Sequence, residues 1–157
     1  MKELLEYREK LVERLRAASR EFCAACKAAK DPFAAGGGGW NVHQLAAHTR
    51  DVEKQVYGLR ARRTASEENP EFENFDADEW MAQNYRADEP LESILNEFAS
   101  DVEELAAFLT GVPAEAWSRE SRHKTLGSGL TMQIWVERGL AHIEEHLASV
   151  KKALEAA

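Results

Sequence analysis

Four stretches of this chain repeat apolar residues at the 3.6-residue period of an α-helix, and prolines, glycines or polar runs separate them. Leu4, Leu5, Leu11, Val12, Leu15 and Phe22 mark the first, from Lys2 to about Lys30, where Asp31-Pro32 stops it. Val42, Leu45, Ala46, Val52, Val56 and Leu59 mark the second. A third runs from Pro90 through Leu91, Ile94, Leu95, Phe98, Val102, Leu105, Phe108 and Leu109 to Gly111-Val112-Pro113. Thr131 opens the last, whose stripe is Met132, Val136, Leu140, Ile143, Leu147, Val150 and Leu154. With no credible strand and no internal repeat, the pattern predicts an all-α four-helix bundle, a single domain over residues 1–157. The connections 64–75 and 112–130 are long enough to allow an order other than up-down-up-down.

The helix ends carry their own signals. Asn41 as N-cap with Gln44 three positions on spells a capping box, with Trp40 and Leu45 placed as a hydrophobic staple. Asp76 and Glu79 have the same spacing, flanked by Phe75 and Trp80, and open a short helix to about Arg86. Arg60, Arg62 and Arg63 suit a helix C-terminus facing its own dipole. The four glycines 36–39 read as a flexible link, and Ala114 to Leu130 reads as a loop with one helical turn around Trp117.

Charge and composition narrow the function. Against 28 acidic residues stand 20 basic ones, a net charge of −8, which disfavours nucleic acid and anionic membranes as partners. No apolar run approaches the roughly 18 residues of a membrane span, and the start lacks the apolar core of a secretory signal, so the expected address is the cytoplasm. Cys23 and Cys26 lie in a helical segment with no strand before them; they are expected to be small buried residues, neither a redox pair nor a zinc site.

Of the five histidines, His142 and His146 are four apart on one helix, so their imidazoles project from one face on successive turns, close enough to share a metal ion. A third ligand has to come from another helix. Counted at ~100° per residue, His48 lies about 70° from the centre of the second helix's apolar stripe and His43 about 150° from it, so His48 is expected to flank the core and His43 to face water. On the last helix the same count puts His146 about 80° and His142 about 120° from the apolar centre, on a flank shared with Trp135. Trp135 is a candidate wall for a cleft there, with Trp80 and Trp117 as contributors from elsewhere; burial in the core is the competing expectation for such aromatics.

Trp40-Asn41-Val42-His43-Gln44-Leu45-Ala46-Ala47-His48-Thr49-Arg50-Asp51-Val52-Glu53 resembles the tryptophan-to-histidine stretch of the DinB/YfiT-like metalloprotein superfamily, and the final helix is similar to its closing H-x-x-x-H segment. The resemblance covers nearly the whole chain. It implies an up-down-down-up four-helix bundle in which three histidines hold a divalent ion, zinc or nickel. Carried over, those histidines fall on His48, His142 and His146, while His43 and His123 match no ligand position. Thr49 stands where the family commonly has an apolar residue. Family members are often dimers, which makes a homodimer the implied assembly.

Three neutral imidazoles leave coordination positions open for water or a thiol, the arrangement of a catalytic rather than a closed structural site. The resemblance implies a metal-dependent thiol S-transferase or hydrolase acting on a small molecule, with a low-molecular-weight thiol as cosubstrate. No catalytic residue is assigned: Asp51, Glu53 and Glu145 are near the histidines in sequence, but solvated helix-face charge is the simpler reading of each. The other class that fits is a non-catalytic metal-binding protein with a stress or interaction role. A cleft over the ion distinguishes the two.

Overall fold

The computed structural model describes residues 1–36 and 39–156. The centre of the expected flexible link, Gly37 and Gly38, lies outside the described residues. Helix α1 (Lys2–Lys27) buries Leu11, Val12, Leu15, Ala18, Phe22 and Cys26 along one stripe. Helix α2 (Val42–Val52) starts at the capping box: Gln44 N–H donates to Asn41 Oδ1 at 2.8 Å and Asn41 N–H to Gln44 Oε1 at 2.9 Å. It passes through a π-helical turn, Glu53–Tyr57, into α3 (Gly58–Ser66), so the second predicted helix is continuous but re-phased in its middle.

After a two-residue strand β1 (Glu71–Phe72) comes α4 (Ala77–Asn84), capped by Asp76, with Phe75 packed on Trp80 at 5.4 Å as the staple spacing implies. Pro90 precedes α5 (Leu91–Gly111) as its N-cap. A 3₁₀ turn (Ala114–Ser118) follows, then β2 (Glu120–His123), β3 (Gly127–Thr131) and α6 (Met132–Ala156). Thr131 Oγ1 accepts the Ile134 N–H at 3.2 Å and so starts α6.

The expectation of no strand fails in both connections, because they pair with each other. β1 runs parallel to β2, Phe72 opposite His123, and β2 runs antiparallel to β3. Strands of two to five residues are too short to display a period, and the β3 backbone depends on Gly127 and Gly129 at φ +97° and +75°, residues that read as loop. The sheet lies over the bundle through Trp135. This indole is fully buried, edge-on to Phe72 at 5.8 Å, and its Nε1–H donates to Ser121 Oγ at 2.8 Å. It is core, not the wall of a cleft, because the unforeseen sheet covers that flank of α6. Trp117 is buried too, under the Arg8 guanidinium at 5.5 Å.

Cross-helix contacts give the relative directions. Tyr7 meets Glu137 and Arg14 meets Glu144, so α1 and α6 run in the same sense. Arg16 meets Glu103 and the Cys23 thiol lies 3.8 Å from the Leu95 carbonyl, so α1 and α5 run oppositely. Arg50 meets Glu97 and Lys54 meets Asp101, setting α2 alongside α5 in the same sense. Between α1 and α5, Phe22 and Phe98 meet edge to face at 5.3 Å in the bundle core. Among the described residues no helix is long and apolar enough to cross a membrane.

Ser121 ties the sheet to the bundle, since its hydroxyl donates to the Leu130 carbonyl at 2.7 Å while accepting from Trp135. Ser121→Ala leaves the buried indole N–H without an acceptor and is expected to cost about 1–3 kcal/mol. Urea denaturation checks this; an unshifted midpoint would contradict the role.

Candidate metal centre

His48 from α2 and His142 and His146 from α6 point their Nε2 atoms at one another. His48 Nε2 lies 3.2 Å from that of His142 and 3.1 Å from that of His146. Donor atoms of all three fall within 4.8 Å of one another. Two imidazole nitrogens sharing a tetrahedral ion at Zn–N ≈ 2.0–2.1 Å stand about 3.3 Å apart, close to both separations from His48. His48 is 6% exposed, and His142 and His146 are half-buried at the bundle flank.

Burial keeps the cluster neutral. It lowers His48 to about 4, with His146 adding to the effect, and lowers His142 to about 3, with His146 and His48 adding. His146 is lowered as well, chiefly by burial. Neutral imidazoles are the ligand form, so no proton has to leave before a metal is bound at neutral pH.

Aromatic rings frame the cluster. Trp40 lies over His48 at 4.7 Å between ring centres and Tyr57 over His142 at 5.5 Å. The π turn explains how Tyr57 reaches this face. Counted at ~100° per residue, a residue nine positions beyond His48 points to the opposite side, but an i→i+5 turn takes up one residue more, which brings Tyr57 back to about 80° from His48. Gly139 on α6 makes room for it: a Cβ there would sit 2.9 Å from Tyr57 Cβ. Sequence reading missed Tyr57 because the phase shift leaves no signature in the apolar stripe; it assigned Trp40 to the helix staple alone.

His43 is not water-facing but 1% exposed. The segment around α4 folds across it, with Phe33 stacked on the ring at 4.6 Å. Nε2 lies 2.7 Å from the Glu89 carbonyl, which can only accept, so Nε2 carries the proton and Nδ1 accepts the Tyr85 O–H at 2.7 Å. Both ring nitrogens are thereby used in holding a connection to α2, apart from the cluster. His123 likewise serves its own turn, where Nδ1 accepts the N–H groups of Thr125 and Leu126.

None of the carboxylates near the histidines in sequence orients a ligand ring. Asp51 is held by Arg50 at 2.9 Å and by the Trp80 indole N–H at 3.2 Å. Glu53, 3% exposed, has no hydrogen-bond partner on either oxygen, and burial with Asp101 nearby raises it to about 7. It lines a cavity of about 190 Å³ with Asp101 and Arg62. Glu145 is exposed on α6, and His146 Nδ1 is buried without a partner. Thr49, the departure from the family pattern, is satisfied within its helix by donating to the Leu45 carbonyl at 2.7 Å. A cavity of about 420 Å³ between α1, α5 and Trp117 contains none of the histidines.

No curated protein matches the chain. Among solved structures it is similar to YfiT from Bacillus subtilis, described as a probable metal-dependent hydrolase with an unusual four-helix bundle topology. The TM-score is 0.83 at 18% identity, covering 96% of this chain and 87% of that one, a likeness of fold. Residues 11–150 match the DinB superfamily, a span that takes in the capped second helix and the paired histidines of the last, and the chain belongs to that family.

Proposed function

We propose that this protein is a divalent-metal-dependent enzyme, a hydrolase or thiol S-transferase, with His48, His142 and His146 as the ligands of a zinc or nickel ion. The observation that carries the reading is the convergence of three neutral imidazole nitrogens from two helices, at a spacing that suits one ion and with no fourth protein donor among the described residues. The description of YfiT as a probable metal-dependent hydrolase supports it. The up-down-down-up order belongs to the same reading, supported by the helix directions above.

A divalent ion in such a site supplies Lewis acidity toward a water or a low-molecular-weight thiol. The chain's own residues do the rest. Trp40 and Tyr57 hold two of the rings in place and keep bulk water from their faces. With Asp51 committed to Arg50 and Trp80, and Glu53 buried toward Asp101, neither carboxylate serves as the base; proton transfer falls to the nucleophile's own environment. The substrate is proposed to be a small molecule.

Mass spectrometry of the native protein should find about one divalent ion per chain, lost in both His48→Ala and His142→Ala while helical circular dichroism persists. A folded parent that takes up neither zinc nor nickel would sink the proposal. A loaded parent inert toward thiol and ester substrates would instead favour a non-catalytic metal-binding protein.

The histidines also set a pH dependence for the metal-free protein. Their folded-state values lie below the ordinary 6.5, so below that pH the unfolded chain binds more protons than the folded one. Stability is therefore full above about 6.5 and falls as pH drops, the His48 share down to about 4 and the His142 share down to about 3. Urea titrations at a series of pH values test this; a flat profile across that window in the metal-free parent would contradict it, and His142→Ala should flatten it.

A further inference from the structure

Arg60 is 7% exposed, yet its guanidinium pairs with no carboxylate among the described residues; Nη2 donates to the Glu73 carbonyl at 2.9 Å. Arg138 on α6 also has no acidic partner among them. Both lie over one indole, that of Trp135, at 4.7 and 6.0 Å from the ring centre. The contrast with Arg50, which touches Asp51, Glu89 and Glu97, is sharp in a chain of net charge −8. Arg138 is exposed and stays hydrated, but Arg60 is taken out of water with a carbonyl and aromatic faces as its partners and no anion, an arrangement that an anionic ligand would complete.

Tyr57 connects this pair to the histidines. Its ring lies on His142 and its Cβ against Gly139, next to Arg138, while Arg60 stands three residues further along the same continuous helix. We propose that Tyr57, Arg60 and Arg138 form an anion-receiving wall beside the three-histidine centre, so that the molecule brought to the centre carries an oxyanion, a carboxylate or a phosphate. The inference rests on the metal reading above and adds the chemical class of the ligand. Arg60 is the fixed member: Trp135 and the Glu73 carbonyl hold its guanidinium in place, a permanent positive charge behind the wall. Arg138 is the exposed arm that a ligand meets first. Tyr57, whose ring lies on His142, supplies a neutral O–H donor.

The test uses full-length protein loaded with cobalt(II), its metal content measured first, in the parent and in Arg138→Gln, Tyr57→Phe and Arg60→Gln. Visible absorption is titrated with acetate, with inorganic phosphate and with neutral imidazole. The expected result is that acetate or phosphate perturbs the parent spectrum and that its affinity falls roughly tenfold or more in the variants, while that of imidazole does not. The tighter anion identifies carboxylate or phosphate as the group recognised. If Arg60→Gln fails to fold, Arg138→Gln and Tyr57→Phe still decide. A fully loaded parent whose anion affinities match those of the variants overturns this inference alone; a parent that takes up no cobalt overturns the metal reading and this inference with it.

Discussion

The close approach of α6 to the π turn ahead of α3 is the contact on which the candidate site depends. Gly139 has no side chain where Tyr57 packs, and a single methyl there would collide with the tyrosine's Cβ. That approach sets the antiparallel register between the second helix and α6, and the register puts His48 level with both His142 and His146 rather than one turn away. A shift of one turn, 5.4 Å along the helix, would separate nitrogens that now lie 3.1 and 3.2 Å apart.

Desolvation then gives the cluster its chemistry. Three imidazoles packed together at a bundle flank cannot all be protonated, because burial and mutual repulsion both disfavour charge. The lone pairs are kept available at neutral pH, at the expense of acid stability. His43 meets burial differently: a phenol and a carbonyl use both of its nitrogens, and it becomes a strut between α2 and the segment that crosses it. Two histidines five residues apart on one helix thus take opposite roles, decided by what packs against each.

Much of the scaffold was legible in the residue pattern. The capping box at Asn41, the cap at Asp76 with its staple and the stop at Gly111-Val112-Pro113 are local devices, satisfied by hydrogen bonds within a few residues, and they occur where the pattern placed them. The sheet was not legible. β1 spans two residues and gains its hydrogen bonds from β2, about fifty positions on, so no window of sequence contains the partner that makes it a strand. That hidden sheet also turned Trp135 from a candidate cleft wall into core and enclosed Arg60, which local reading had left to the helix dipole.

By itself the sequence determined four long helices, the caps at Asn41 and Asp76, most of the buried stripes and the pair of histidines on one face of the last, since each follows from the period of a single helix and the chemistry of its ends. Leu4, Leu5 and Leu59, read into the stripes, are exposed. Only the tertiary structure decided that His48 meets that pair, that His43 does not, and that Tyr57 turns toward the centre through a π turn. A helical wheel records angles about one axis. Which surface lies opposite, and in what register, is set by packing between helices, where one glycine and one extra residue in a turn move a side chain from solvent to site.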